Sequence, residues 1–269
     1  MSTPYPALDS LVRVYPGDAG PLSGVGLLWV HGGGFVIGDL DMPEADAVSR
    51  GFAARGALVV SVDYRLVADG ENTFPAASDD VLRGWNWLVS EAGALGADRL
   101  FMGGTSAGGN LVAGAVLRML GHEPAAVLKA LPAGVFLGYP TLLAVQPAPT
   151  LELRAALDAR PDDDVFTPAA VLAMYETYLG GDVADAPLPA IPGLAAAAKL
   201  EGFPPTIMVN CDVDELRMSG EAFAATLADA GVPVDLALQP GTGHGFLNRP
   251  EEAAFEATII QVANWMAGR

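Results

Sequence analysis

Apolar residues along the chain fall into short continuous runs, separated by longer stretches in which they recur at helical spacing. The run Val25–Val30 is followed by others at 57–62, 99–102, 133–137, 206–209 and 234–238. Runs of four to six residues, apolar on both faces, predict strands buried in a mostly parallel sheet. Between them, 77–91 carries Val81, Leu82, Trp85 and Leu88 at helical spacing, and 108–120, 219–230 and 251–266 also read as helices. Strand and helix in alternation predict an α/β fold with helices on both faces of the sheet. No internal repeat interrupts this rhythm, and 269 residues fit one such unit, so residues 1–269 are expected to form a single domain.

One stretch departs from the pattern. Residues 141–202 contain no clear strand, are rich in Ala, Pro and Asp, and offer one good helix, Pro168–Leu179. A segment of that length inside a compact domain is often functional, and it enters and leaves at strand ends, where α/β sheets bind ligands. It is the candidate cap or lid.

Composition narrows the class. Half the residues are hydrophobic, enough for a large core. The net charge of −18 would repel phosphate backbones and anionic lipid surfaces, so neither nucleic acid nor a membrane is an expected partner. Cys211 is the single cysteine and cannot form an internal disulfide, which allows a reducing compartment. Residues 1–16 lack the basic start and apolar run of a signal peptide, and the longest apolar region, 111–145, is broken by charges, Gly and Pro. The default expectation is a soluble, cytoplasmic protein.

The candidate chemistry lies at the strand ends. Gly104-Thr105-Ser106-Ala107-Gly108 fits a G-x-S-x-G elbow, and it stands where a predicted strand meets a predicted helix. A serine hydroxyl needs a base, and the chain has three histidines. His31 precedes three glycines, His122 reads as a turn residue, and His244 sits in the late loop where the order Ser, acid, His places the base. The acid that orients it should follow the strand at 206–209, where Asp212, Asp214 and Glu215 all compete. Gly32, Gly33 and Gly34, with no side chains to block approach, offer backbone N–H groups that could join that of Ala107 around an oxyanion.

Five segments together resemble the hormone-sensitive-lipase-like family of bacterial esterases: His31 to Gly38, Val62 to Leu66, Phe74 to Ala77, Gly104 to Asn110 and His244 to Phe246. They stand in the family's order and span the chain from about Leu11 to its end. Thr105, where many members have Asp, is similar to the Gly-Thr-Ser-Ala-Gly branch. The resemblance implies an α/β-hydrolase fold, and it aligns Asp214, Glu215, Leu216 and Arg217 with the family's Asp-Pro-Leu-Arg, making Asp214 the triad acid. It likewise implies Gly33, Gly34 and Ala107 as oxyanion donors, with Asp63, Tyr64 and Arg65 structural. Only thirty residues precede His31, fewer than the family usually has, which implies a reduced cap, with 141–202 supplying the lid that remains.

The expected activity is hydrolysis of carboxylic esters through an acyl-enzyme on Ser106, with short acyl chains and a homodimer implied by the resemblance alone. No cofactor or metal is implied, since Cys211 stands alone and the histidines are not spaced as ligands. The partner is then a small-molecule ester. The same triad could serve an amide, a lactone or a carbohydrate acetyl group, and the fold could also serve as a ligand-binding module.

Overall fold

A computed structural model of the protein describes residues 3–122 and 130–269, the side chain of His122 excepted. Among these residues, eight strands form one sheet: β1 (Tyr5–Ala7), β2 (Val12–Tyr15), β3 (Val25–Val30), β4 (Leu58–Val62), β5 (Arg99–Thr105), β6 (Gly134–Gly138), β7 (Thr206–Val213) and β8 (Val234–Gly243). Their spatial order is β1-β2-β4-β3-β5-β6-β7-β8. The pairs from β4 to β8 run parallel, while β1 and β2 are antiparallel at one edge. Seven α-helices accompany them: α1 (Pro43–Ala53), α2 (Ala76–Glu91), α3 (Ala107–Leu117), α4 (Leu151–Ala159), α5 (Pro168–Leu179), α6 (Arg217–Asp229) and α7 (Ala253–Ala267).

Alternation along β3 shows how the sheet fills two cores. Leu28 and Val30 face the layer of α2, α3 and α6, with Trp85, Leu111, Val116 and Leu227. Leu27 and Trp29 face the layer of α1 and α7, with Phe52, Ile259 and Met266. Successive side chains of a strand point to opposite faces, so a strand apolar at every position must be covered on both.

The mostly parallel sheet with helices on both faces is as the sequence predicts, except that 234–238, expected to be buried, forms the edge strand β8 and leaves Leu236 and Leu238 exposed; several elements were not legible in the sequence. β1 and β2 are three and four residues long, too short for a periodicity to show. In α1 half of the buried positions are Ala or Ser and one is Glu44, so its apolar stripe is thin. β5, β7 and β8 run past the predicted 102, 209 and 238, because their ends carry Gly, Asn, Asp and Thr rather than apolar residues. The side chain of His122 lies outside the described residues.

The segment 141–202 holds α4 as well as the expected α5. Its latter half is anchored: the buried Tyr175 hydroxyl accepts from Asn110 Nδ2 at 2.9 Å and from Thr141 Oγ1 at 3.4 Å, and Asn110 Nδ2 also donates to the Ala190 carbonyl at 3.2 Å. Tyr178 stacks on Phe35 with ring centres 3.9 Å apart. The earlier half is held at the surface by arginines: Arg154 bridges Asp158 and Asp164, and Arg160 reaches Asp163 and the Gly241 carbonyl. α4 buries only Leu153 and Leu157.

Candidate active site

β5 ends at Thr105 and α3 begins at Ala107, which leaves Ser106 to make the whole turn. Its backbone takes φ 51° and ψ −119°, a strained conformation for a residue with a side chain. The flanking glycines are required by close approach. A Cβ on Gly104 would lie 2.5 Å from the Gly108 carbonyl oxygen, and one on Gly108 would lie 2.2 Å from that of Val30. The motif is therefore a packing necessity: β3 and the start of α3 come together only without those two side chains.

His244 follows β8 and Asp214 follows β7, parallel neighbours whose ends bring both residues to the serine. His244 Nε2 lies 3.0 Å from Ser106 Oγ, and His244 Nδ1 lies 2.7 Å from Asp214 Oδ2. Asp214 is fully buried, and its Oδ1 accepts the Leu216 N–H at 3.0 Å. Two aromatic rings hold the imidazole edgewise, Tyr139 at 5.0 Å and Phe166 at 4.3 Å between centres.

The three acids left open by spacing separate by what they touch. Asp212 is half exposed, accepts the Gly241 N–H at 3.0 Å and stands 3.9 Å from Arg217. Glu215 lies against Asp164, and burial with that neighbour raises its pKa. Of the three, Asp214 alone meets His244. Beside it, burial and the Asp214 charge push the Cys211 thiol well up. Cys211, Asp214 and His244 place their heteroatoms within 4.8 Å of one another, the geometry of a possible metal cluster. Asp214 and His244 already use those atoms on each other.

The loop after β3 is set from two sides. His31 Nδ1 lies 2.7 Å from the Gly32 carbonyl, and Tyr64 OH lies 3.0 Å from it. Burial lowers the His31 pKa, which favours the neutral ring, and this ring stacks on Tyr64 at 4.4 Å. Because the peptide is planar and trans, holding the Gly32 carbonyl on that side turns the Gly33 N–H the other way. Gly33 has φ 115°, and a Cβ there would fall 1.9 Å from the Ile37 carbonyl oxygen, so only glycine fits. Gly33 and Gly34 line a cavity of about 390 Å³ together with Ser106, His244, Phe166 and Ile37. Ala107 is the first residue of α3, where the N–H has no partner within the helix.

Tyr64 thus braces the glycine loop. Arg65 pairs with buried Asp80 at 2.7 Å, and Asp63 carries a pKa raised by burial. Glu44 was missed. It lies at the start of α1 and turns its carboxylate inward to Gly32, Thr105, Tyr139 and Asn248. The signal was present: 44, 48 and 52 share one helix face, so Glu44 continues the buried stripe of Val48 and Phe52.

A family model for the alpha/beta hydrolase fold matches residues 27–248. Ethyl acetate hydrolase of Pseudomonas putida is 34% identical over 258 residues, covering 93% of this chain and 76% of its own. The carboxylesterase NlhH of Mycobacterium tuberculosis is 35% identical over 230 residues, covering 82% of this chain and 66% of its own. Among solved structures, brefeldin A esterase, described as a bacterial homologue of human hormone-sensitive lipase, superposes with a TM-score of 0.78 at 27% identity, covering 99% of this chain and 75% of the other.

Proposed function

This chain belongs to the hormone-sensitive-lipase-like esterases of the alpha/beta hydrolase fold and is a carboxylic ester hydrolase, and we propose that Ser106, His244 and Asp214 carry its chemistry. The observation that supports this most directly is the unbroken relay from Asp214 Oδ2 to His244 to Ser106 Oγ, opening onto a cavity lined by Gly33 and Gly34.

In this reading Ser106 Oγ attacks the ester carbonyl while His244 Nε2 takes its proton. Asp214 accepts the Nδ1–H, which fixes the tautomer and steadies the imidazolium. The N–H groups of Gly33, Gly34 and Ala107 receive the negative oxygen of the tetrahedral intermediate. His244 then protonates the leaving alcohol, and water activated by the same imidazole releases the acid from the acyl-enzyme.

The substrate class follows from the cavity. Its size and the apolar side chains of Val36, Ile37, Met42 and Phe166 suit short acyl esters without charge. Residues 141–202 act as the cap, because Phe166 meets His244 and Met174 lies over Gly34. No described helix is long and apolar enough to cross a membrane. A cytoplasmic location and a homodimer belong to the same proposal, the latter supported by the exposed Leu236 and Leu238 on edge strand β8.

Hydrolysis of p-nitrophenyl esters of rising acyl length, by wild type and Ser106→Ala in parallel, tests the reading. Turnover should fall at least about 10³-fold in the variant, with folding retained and a preference for short chains in the wild type. Full turnover by Ser106→Ala would overturn the assignment of the nucleophile.

A further inference from the structure

We infer that Glu44 is a positioning residue, a buried carboxylate that ties the glycine loop, the serine elbow and the histidine loop into one rigid frame. The inference rests on the reading of Ser106 as nucleophile and extends it to a residue that touches neither the serine hydroxyl nor the imidazole.

Glu44 is 2% exposed. Its Oε1 accepts the Gly32 N–H at 2.6 Å and the Thr105 hydroxyl at 2.5 Å; its Oε2 accepts the Tyr139 hydroxyl at 2.6 Å and Asn248 Nδ2 at 3.0 Å. A carboxylate has about four acceptor sites, so this one is filled. A charge is tolerated at such depth only when it is hydrogen-bonded in this way.

The four donors are the telling feature, since each belongs to a different part of the machinery. Gly32 precedes the N–H groups of Gly33 and Gly34. Thr105 is the residue before Ser106. Tyr139 follows the last residue of β6 and lies edge-on to the His244 ring. Asn248 stands four residues beyond His244, and its Oδ1 accepts the Glu44 N–H at 3.2 Å. The backbone of Glu44 is itself fixed, because Trp29 Nε1 donates to its carbonyl at 2.8 Å.

Thr105 gains a role by the same contact. A hydroxyl at 105 supplies the carboxylate with a donor, whereas an acid there would set two carboxylates within hydrogen-bonding distance of each other. Glu44 and Thr105 are therefore complementary, and either one alone would leave a buried polar group without its partner.

A frame of this kind acts on the transition state more than on the bound ester, because small displacements of N–H donors and nucleophile matter most when the oxyanion forms. The test uses the full-length protein with p-nitrophenyl butyrate as substrate and n-butylboronic acid as a tetrahedral serine adduct. Glu44→Gln keeps the size but turns an amide N–H₂ toward groups that themselves donate. Its kcat should fall about 10- to 100-fold with KM within about threefold, and the boronate Ki should rise in parallel with the loss in kcat/KM. Thr105→Val should fall in the same sense by about three- to tenfold, and Thr105→Ser should restore activity.

A folded Glu44→Gln with kcat within threefold of wild type, or with boronate affinity unchanged while KM alone rises, would overturn the inference. Should Glu44→Gln fail to fold, Thr105→Val decides, and wild-type turnover in that variant would equally overturn it. Ser106→Ala runs beside them: activity retained there refutes the nucleophile, whereas an inactive Ser106→Ala beside wild-type-like Glu44 and Thr105 variants refutes the frame alone.

Discussion

Asp214→Asn replaces one carboxylate oxygen by an amide nitrogen in a fully buried pocket where both oxygens are in use. The amide has two orientations. With nitrogen toward Leu216 it sets two donors against each other and strands a buried N–H, at a cost of about 1–3 kcal/mol. The other orientation keeps the Leu216 bond and turns the N–H₂ toward His244 Nδ1. The imidazole must then accept at Nδ1 and carry its proton on Nε2, facing Ser106 Oγ without a lone pair to offer. An energy gap of that size leaves roughly a sixth of the molecules or fewer in the productive form, so kcat must fall at least about fivefold on population alone. With the tautomer wrong and no charge to steady the imidazolium, the expected loss is about 10⁴-fold, or about 5.5 kcal/mol of barrier. Asp212→Asn is the matched control. Its oxygen can still accept the Gly241 N–H, and the half-exposed charge opposite Arg217 is worth less than about 1 kcal/mol. Initial rates on p-nitrophenyl butyrate, with circular dichroism to establish folding, separate the two. Retention of more than a tenth of kcat by Asp214→Asn, or a greater loss in Asp212→Asn, would refute the assignment of the acid.

Gly108→Ala should lower the Tm by roughly 5 °C or more, because its Cβ meets the Val30 and His31 carbonyl oxygens at 2.2 and 2.4 Å. Gly93→Ala, which meets nothing within 4 Å, is the control, and equal melting of the two variants would show that the elbow has slack. Glu215 has a pKa raised by burial and by Asp164, so the folded chain holds its proton where the unfolded chain has lost it. That contribution to stability is full below the ordinary carboxylate value and lost as pH rises through the raised one. Glu215→Gln should therefore be more stable than wild type at pH 8, with the difference narrowing toward pH 4 in urea unfolding; a difference independent of pH would contradict this.

How much could be read in advance depended on where each residue's constraint comes from. Strands buried on both faces write themselves as apolar runs, so β3 to β7 were visible although their polar ends were not, whereas β8 showed as an apolar run while lying largely exposed at the sheet edge. The elbow was visible because nearby backbone atoms exclude any residue larger than glycine at 104 and 108. Choosing among Asp212, Asp214 and Glu215 needed the alignment with relatives, for only the end of β7 beside β8 decides which carboxylate meets His244. Glu44 was hidden for a different reason. An acid in the first turn of a helix is favourable at a surface for its own sake, and its inward direction depends on donors from four separate places in the chain.

The Tyr175 hydroxyl, set between Asn110 and Thr141, divides the region above the active site into parts with different freedom to change. Tyr175 and, through Ala190, the chain beyond it are tied to the helix that begins just after Ser106, so alteration there would be felt at the proposed nucleophile. Among the described residues, the stretch of 145–165 is held instead by Arg160 at the Gly241 carbonyl, Asp164 at Glu215 and the buried Leu153 and Leu157, and it shows Val145, Leu151 and Val165 to solvent. Substrate range can thus be diversified at the exposed positions of that stretch, as one changes the tip of a tool while leaving the handle in place. Descent within such a lineage would then leave a variable span ending just before Phe166.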